Sequence, residues 1–421
     1  MQKSMRIHII CPVFPPESVA SAVMAQHIAQ GLVRSNHRVA VITSFPSKMK
    51  GELYPGYKRT LMNTSIHEDG FTLCRVFSFV SRKSNVISRL VENISFAIAS
   101  NLASMLLGKP DVVYMNTWPV VATFVTGAIC RLRGLRYVYN VQDLYPESAR
   151  GLGHIADGGL FYRLMLHMDR FTAYHASHIV AISEEFADVI HRTRNVPRGK
   201  ISVVWNWYDA RVFPEEKWGW FRQSIAPASN SNVIMYAGNI GSVAGLEVVI
   251  EAAERIAERG NFLFVLAGEG VLRERLEGEC RKRSISNILF VYPLHREDLS
   301  RIQAAADVML ITTKRGLSLS EVPSKLMGYM LSGRPVLAMV DRESNTARLI
   351  ERAKCGMVGP PENPAALADL AESMVQSGRL EEWGKNAREF AEAHFDQEQG
   401  VHKIMGTIEA AIQREDLAAG R

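Results

Sequence analysis

Short apolar runs rich in β-branched residues alternate along most of this chain with longer stretches of helical spacing. Arg6–Ile10 reads as a strand, Val19–Arg34 as a helix with Val23, Ile28 and Leu32 on its apolar side, and Val39–Thr43 as the next strand. A polar loop leads to a strand at Thr72–Phe79, and Val86–Leu107 is a long helix. Asp111–Met115, Arg136–Val141, His178–Ile182 and Ile201–Val204 continue the strands, with helices at Val120–Leu132 and Leu160–Tyr174. The pattern stops over Asp209–Asn230, where Pro214, Pro227, Phe213, Trp218, Trp220 and Phe221 mix with Ser and Asn. That composition predicts a linker.

The alternation then restarts. Asn232–Ala237, Phe262–Ala267, Asn287–Val291, Asp307–Ile311 and Pro335–Val340 are strands. Leu246–Glu258, Val271–Lys282, Glu297–Ala305, Pro323–Leu331 and Asn345–Ala353 are helices, and Pro364–Gln376, Arg379–His394 and Gln399–Arg414 close the chain. Two successive βα arrays predict an α/β protein of two doubly wound domains, each with a parallel sheet covered on both faces. Ligands of such sheets bind at the carboxyl ends of the strands, so the expected site is the cleft between the facing domains.

Composition narrows the class. The chain has 421 residues, 47% hydrophobic and 22% charged, ordinary for a globular protein of two or three domains. A net charge of +6 suits anionic small molecules or lipid. No dense basic stripe or reading motif suggests nucleic acid. The five cysteines are dispersed without a C-x-x-C pair, which predicts a reducing compartment with neither disulfide framework nor zinc site. The start lacks a signal-peptide core, and the best apolar run, Ile94–Leu107, is too short to span a bilayer.

Candidate chemistry gathers at strand ends. After the first strand, Cys11–Ser18 replaces the G-x-G-x-x-G expected of a dinucleotide site. Pro16, Glu17 and Ser18 either face an acceptor pyrophosphate or only start a helix that Ser18 caps. Tyr139–Ser148 places Asp143 and Glu147 at a strand end, Asp143 as a base or hydroxyl ligand, or as a turn cap. In the second array, Gly238, Asn239 and Gly241, then Gly268, Glu269 and Gly270, form two glycine loops that let backbone approach a phosphate. Pro293 and Leu294 end the third strand where a base can rest on backbone, with His295 a loop residue. Ser320, Glu321, Val322, Pro323, Ser324 and Lys325 lead into a helix whose first turn offers N–H donors and a lysine to a diphosphate. There is no Asp-x-Asp, no His/Cys ligand cluster and no G-x-x-x-x-G-K-[ST], so metal-free neutralisation of a diphosphate is expected.

Taken in order, FPPE (Phe14–Glu17), QDLYPES (Gln142–Ser148), AIS (Ala181–Ser183), NWYD (Asn206–Asp209), YAGNIG (Tyr236–Gly241), LAGEG (Leu266–Gly270) and VPSKLMGYMLSGRPVL (Val322–Leu337) resemble the family 4 retaining glycosyltransferases of the GT-B fold. More narrowly they resemble the WbuB-like group of bacterial O-antigen and capsule enzymes. The resemblance implies an acceptor domain at residues 1–210, joined by a crossing helix at 399–421, and a nucleotide-sugar domain at 211–398. It implies metal-independent transfer with retained configuration, with no cofactor beyond the UDP-sugar substrate. The implied sugar is N-acetyl-L-fucosamine or a related amino sugar, and the implied acceptor is a polyprenyl-pyrophosphate-linked saccharide. The family's E-x7-E pattern is altered: Gly328 stands where a ribose-binding Glu is expected, and Ser320, beside Glu321, where the first Glu is expected. Two other readings remain open, a nucleotide-sugar 2-epimerase and a non-catalytic nucleotide-sugar-binding or assembly protein. A cytoplasmic chain is expected, peripheral on the inner membrane face, with Lys58, Arg59, Arg75, Arg82, Lys83 and Arg89 as a basic edge to the helix at 86–107.

Overall fold

The computed structural model describes residues 4–17, 19–47, 52–80, 86–117, 119–151, 155, 158–208, 213, 221–222, 231–292, 298–317 and 324–419. The chain divides into two compact units, Met1–Asn206 with Glu398–Arg421, and Trp207–Gln397.

The first unit is built on an eight-stranded sheet. Its strands are β1 (Arg6–Ile10), β2 (Arg38–Ser44), β3 (Met62–Ile66), β4 (Thr72–Val76), β5 (Val112–Asn116), β6 (Arg136–Val141), β7 (His178–Ala181) and β8 (Ile201–Val203), in the order β3-β4-β2-β1-β5-β6-β7-β8. Every pairing is parallel except β3 with β4. Ile9 of β1 lies opposite Val41 on one side and Tyr114 on the other. All five residues of β5 are buried, as expected of a strand covered on both faces. The strand order reverses at β1, which places a ligand crevice beyond the ends of β1 and β5.

The described residues of this unit hold elements that the sequence pattern did not predict, a short helix at Glu147–Gly151 among them. The polar loop before residue 72 contains β3, whose five residues are all exposed and carry no apolar period. A helix unassigned from sequence spans Glu184–Arg194. The Ser183 hydroxyl caps it by accepting from the Phe186 N–H at 3.1 Å, and Asn195 closes it in the left-handed region (φ 56°). The first helix, Ala20–Arg34, is capped by Val19 without a side-chain bond, and Ser18 lies outside the described residues.

The terminal helix, Gln397–Ala419, packs on Ala20–Arg34. A Cβ at Gly31 would stand 2.3 Å from Val401 Cγ1, so glycine lets the two helices approach. His37 Nε2 lies 4.0 Å from the Glu409 carboxylate at the same seam. The last turns of the chain thus return to the first unit, as the resemblance implied.

The second unit has six parallel strands, β9 (Asn232–Ala237), β10 (Phe262–Ala267), β11 (Ile288–Val291), β12 (Val308–Thr312), β13 (Val336–Met339) and β14 (Gly356–Gly359). Their order is β11-β10-β9-β12-β13-β14. Val249 and Ile250 of helix Glu247–Ile256 meet Leu367 and Ala371 of helix Pro364–Gln376 in the core over this sheet. β14 escaped the sequence pattern because glycine begins and ends it. A Cβ at Gly356 would lie 1.8 Å from the Val336 carbonyl oxygen. Of the expected linker, only residues 213, 221 and 222 are described. There Arg222 donates to the Ala305 and Ser231 carbonyls (2.9 and 2.8 Å) and to Asp307 Oδ2 (2.9 Å).

His8 on β1 is fully buried, with Nδ1 2.8 Å from the Ser104 hydroxyl and Nε2 unpaired. Burial, reinforced by Arg6 and Arg133, lowers its pKa to about 4. Native His8 therefore stays neutral while the unfolded chain protonates below about pH 6.5. Its contribution is full above that value and is lost as pH falls toward 4, about 2 kcal/mol between pH 7 and pH 5. Urea unfolding of the first unit should show this loss in the wild type and not in His8→Gln.

Candidate functional site

In the first unit, the loop after β1 is closed by Glu17 and by residues that follow β2 and lie on β4. Glu17 accepts from the Phe14 N–H (3.3 Å) and the Ser47 N–H (3.4 Å), so its carboxylate is spent on loop closure. Burial raises the Glu17 pKa against these bonds. Arg75, 6% exposed, donates to the Pro15 carbonyl (2.5 Å) and the Ser44 carbonyl (3.1 Å). The basic edge expected at the surface is corrected here: Arg75 is an internal clamp on the proline loop. Lys58 and Arg59 are exposed, while Arg82, Lys83 and the Arg89 side chain lie outside the described residues. Pro16 is exposed at the tip of the loop.

The segment after β6 hangs from a buried network. Asn140 Nδ2 donates to Asn116 Oδ1 at 2.8 Å, Thr117 Oγ1 to the Asn140 carbonyl at 2.7 Å, and the Gln142 N–H to Thr117 Oγ1 at 2.8 Å. These bonds tie the ends of β5 and β6 together and aim the chain at Asp143. Asp143 accepts from the Ser148 hydroxyl at 3.0 Å, and partial burial raises its pKa. A carboxyl so placed is a hydroxyl ligand or proton acceptor of raised basicity.

Glu147 is engaged by a guanidinium. Both its oxygens take the Arg194 guanidinium, Oε1 from Nη1 and Oε2 from Nη2 at 2.8 Å. Although burial alone would raise the Glu147 carboxyl, Arg194 holds it below the usual range. Arg194, 1% exposed, also donates from Nε to Asp169 Oδ2 (2.7 Å) and from Nη2 to the Tyr145 carbonyl (3.1 Å). Asp169 in turn accepts from the Tyr139 hydroxyl at 2.5 Å. Glu147 thus anchors the segment that presents Asp143. Arg194 was missed in the sequence because its helix was missed; Ser183 and Asn195, the cap residues, were the available signal.

In the second unit, two glycine loops pack backbone on backbone. The Gly238 N–H donates to the Ala267 carbonyl (2.8 Å) and the Ile240 N–H to the Glu269 carbonyl (2.7 Å). A Cβ at Gly268 would lie 2.0 Å from the Gly238 carbonyl oxygen, and one at Gly270 2.3 Å from that of Ile240. Lys325 reaches the same place: a Cβ at Gly238 would meet its Cε at 2.4 Å, and its Nζ is 5.5 Å from the Tyr236 ring. Gly238, Asn239, Gly241, Gly268, Glu269, Gly270 and Lys325 therefore converge at the carboxyl ends of β9 and β10. Tyr329, unremarked as a site residue from sequence, holds this corner. Its hydroxyl accepts from the Ala237 N–H (2.9 Å) and donates to the Ala237 carbonyl (2.8 Å).

Pro293, Leu294, His295, Ser320, Glu321, Val322 and Pro323 lie outside the described residues, as does the Ser324 side chain. At the end of β11, Arg273 stacks 3.6 Å from the centre of the Tyr292 ring. At Gly328 a Cβ would meet Gln303 Oε1 at 3.6 Å and the Phe213 ring at 3.8 Å, so a side chain there points at packed groups. Among the described residues, one group gathers metal-ligating atoms: His67, Glu68 and Asp69, on the turn between β3 and β4, where the His67 ring meets the Phe14 ring of the proline loop edge-on at 6.4 Å.

Two doubly wound units, one with a glycine-and-lysine corner at its strand ends, are the architecture of the GT-B fold. Family models agree: a glycosyl transferase 4-like domain matches residues 20–207 and glycosyl transferases group 1 matches 220–390. The chain belongs to the group 1, family 4 glycosyltransferases. It is 26% identical over 412 residues, 94% of this chain and 97% of the relative, to WcaI of Escherichia coli (strain K12), named for colanic acid biosynthesis. It is 25% identical over 331 residues, 77% of this chain and 80% of the relative, to the Pseudomonas aeruginosa glycosyltransferase WbjE. The crystal structure of Anabaena HepE superposes with a TM-score of 0.69 at 16% identity, over 96% of this chain and all of that one.

Replacing Arg194 by Leu leaves the buried Asp169 and the half-buried Glu147 without their cation, a loss of about 3–5 kcal/mol. Denaturant unfolding of Arg194→Leu against the wild type measures it; a loss below about 1 kcal/mol contradicts the anchoring role.

Proposed function

We propose that this glycosyltransferase takes a sugar from a UDP-sugar and transfers it, with retained configuration and without a metal, to a polyprenyl-pyrophosphate-linked saccharide. The proposed setting is bacterial O-antigen or capsule assembly at a membrane surface, and the proposed sugar is an amino sugar of the N-acetyl-L-fucosamine type. The convergence of Lys325 with the glycine loops at Gly238–Gly241 and Gly268–Gly270 is the observation that carries the donor side. Such a corner offers backbone and a cation to a diphosphate. HepE, a structural relative, was crystallised with UDP and with UDP-glucose, which supports the choice of nucleotide. The name of WcaI, which places it in colanic acid biosynthesis, supports the polysaccharide setting.

In this reading Lys325, at the start of the helix Ser324–Leu331, acts with Ser320, Glu321, Val322, Pro323 and Ser324 to stabilise the charge that develops on the leaving UDP. Pro293 and Leu294 border the base. Asp143 orients the acceptor hydroxyl, with the loop at Pro16–Ser18 beside the acceptor pyrophosphate, and Glu147 keeps Asp143 in place through Arg194. The hydroxyl oxygen bonds to the anomeric carbon as that carbon's bond to the UDP oxygen breaks. The hydroxyl proton passes to the departing β-phosphate. The chain mainly positions two substrates and steadies a leaving group.

Titration calorimetry with UDP tests the donor site. The wild type should bind UDP equally with and without EDTA, and Lys325→Ala should weaken binding about ten- to a hundredfold, the value of one charged hydrogen bond. Absence of UDP binding by the wild type contradicts the reading. Gly328→Glu separates an adapted site from a decayed one. Because position 328 faces Gln303 and Phe213, the variant should bind UDP no better and melt lower, whereas Gly328→Ala should gain about 0.5–1 kcal/mol of stability. A large gain in UDP affinity for Gly328→Glu would favour the non-catalytic reading.

A further inference from the structure

The strand β3 is the edge of its sheet and pairs with β4 alone. Just outside it, the Leu61 carbonyl accepts from the Phe77 N–H and the His67 N–H donates to the Phe71 carbonyl, both toward β4. In an antiparallel ladder the N–H and C=O of one residue point the same way, and successive residues alternate. Asn63 and Ser65 therefore also spend their backbone groups on β4, while those of Met62, Thr64 and Ile66 point away from the sheet. Among the described residues no backbone group meets this outward set, and the Thr60 hydroxyl lies 3.4 Å from the Met62 carbonyl.

This edge lacks the usual protection. Native edge strands are guarded by a charge, a proline or a bulge. The sequence Met-Asn-Thr-Ser-Ile has neither charge nor proline, and its register with β4 runs unbroken. All five residues are exposed, and Ile66 is 72% exposed.

The strand is also complementary to itself. Turned antiparallel about Thr64, a second copy sets Met62 against Ile66, Asn63 against Ser65, and Thr64 against its own counterpart. The outward residues of one copy then fall on the outward residues of the other, so each outward N–H meets an outward carbonyl. Apolar pairs flank a threonine pair on one face. Charge selects the same arrangement. The exposed Lys58 and Arg59 precede the strand, and Glu68 and Asp69 follow it. Antiparallel pairing brings the basic flank of one copy to the acidic flank of the other, whereas parallel pairing sets like charges side by side.

We propose that two copies of this chain pair through β3, antiparallel about Thr64, as a two-fold dimer with one sheet running through both first units. The contact is small, so the dimer is a weak one. The inference stands apart from the donor and acceptor readings and does not depend on either.

The test is sedimentation of the full chain up to a concentration on the order of 100 μM, where a weak dimer forms. The wild type should dimerise. Thr64→Pro removes an outward N–H without touching the β4 ladder, and the pair Met62→Lys with Ile66→Lys sets like charges opposite one another. Each should weaken dimerisation at least about tenfold, the lysine pair at the wild-type melting temperature. A chain carrying both Asn63→Cys and Ser65→Cys should oxidise to a covalent dimer, because this non-hydrogen-bonded pair sets Cα atoms about 4.5 Å apart. Neither single cysteine variant should do so, since the native cysteines are buried. The proposal falls if the wild type is monomeric throughout. It falls if the lysine pair dimerises as tightly as the wild type, since another face then joins the copies. It also falls if either single cysteine variant cross-links as well as the double, since the register is then different.

Discussion

A methyl group on residue 268 would sit 2.0 Å from the Gly238 carbonyl oxygen, and that contact fixes the donor corner of this protein. Two loops at the ends of adjacent parallel strands can share backbone hydrogen bonds only if one is stripped of side chains where they meet. Gly268 and Gly270 meet that demand from below, which leaves the upper loop, Gly238–Gly241, to present its surface outward. Tyr329 pins the start of the upper loop, and Lys325, one turn earlier on the same helix, lies across Gly238. Backbone, cation and helix start are thus brought to one place by packing.

The first unit solves a different problem, holding a carboxyl in a partly buried loop. Asp143 cannot be placed by its own bond to Ser148 alone. The Tyr139–Asp169–Arg194–Glu147 network grips the segment from behind, with one guanidinium serving two carboxylates and the Tyr145 carbonyl. The same logic operates at the proline loop, where Arg75 and Glu17 close the chain on itself. In both places a charged residue that sequence spacing offers to substrate or membrane is used by the protein to shape a loop.

The alternation of apolar runs made most of the fold legible: β1, β6, β9 and β10 lie where the pattern put them, because buried parallel strands read as unbroken apolar stretches. β3 was illegible because it is an exposed edge, and β14 because its glycines serve packing. The glycine loops and Lys325 were legible as separate motifs. That Gly268 exists to let Gly238 sit above it was not, since sequence does not show which backbones touch. Arg194 was invisible for a related reason: its value lies in four partners spread from residue 145 to residue 193. The helix at 86–106 reads as apolar, but only burial shows that Phe96, Ala97 and Ala103 face inward while Ile94, Ile98 and Leu102 face outward.

Amide hydrogen exchange of the chain with and without UDP, read peptide by peptide, tests the central claim most directly. The account predicts that UDP slows exchange in peptides covering residues 236–241, 267–272 and 324–331, because those backbone groups are the diphosphate's cradle. UDP binding that leaves these three peptides unprotected, or that protects only peptides of the first unit, would contradict it.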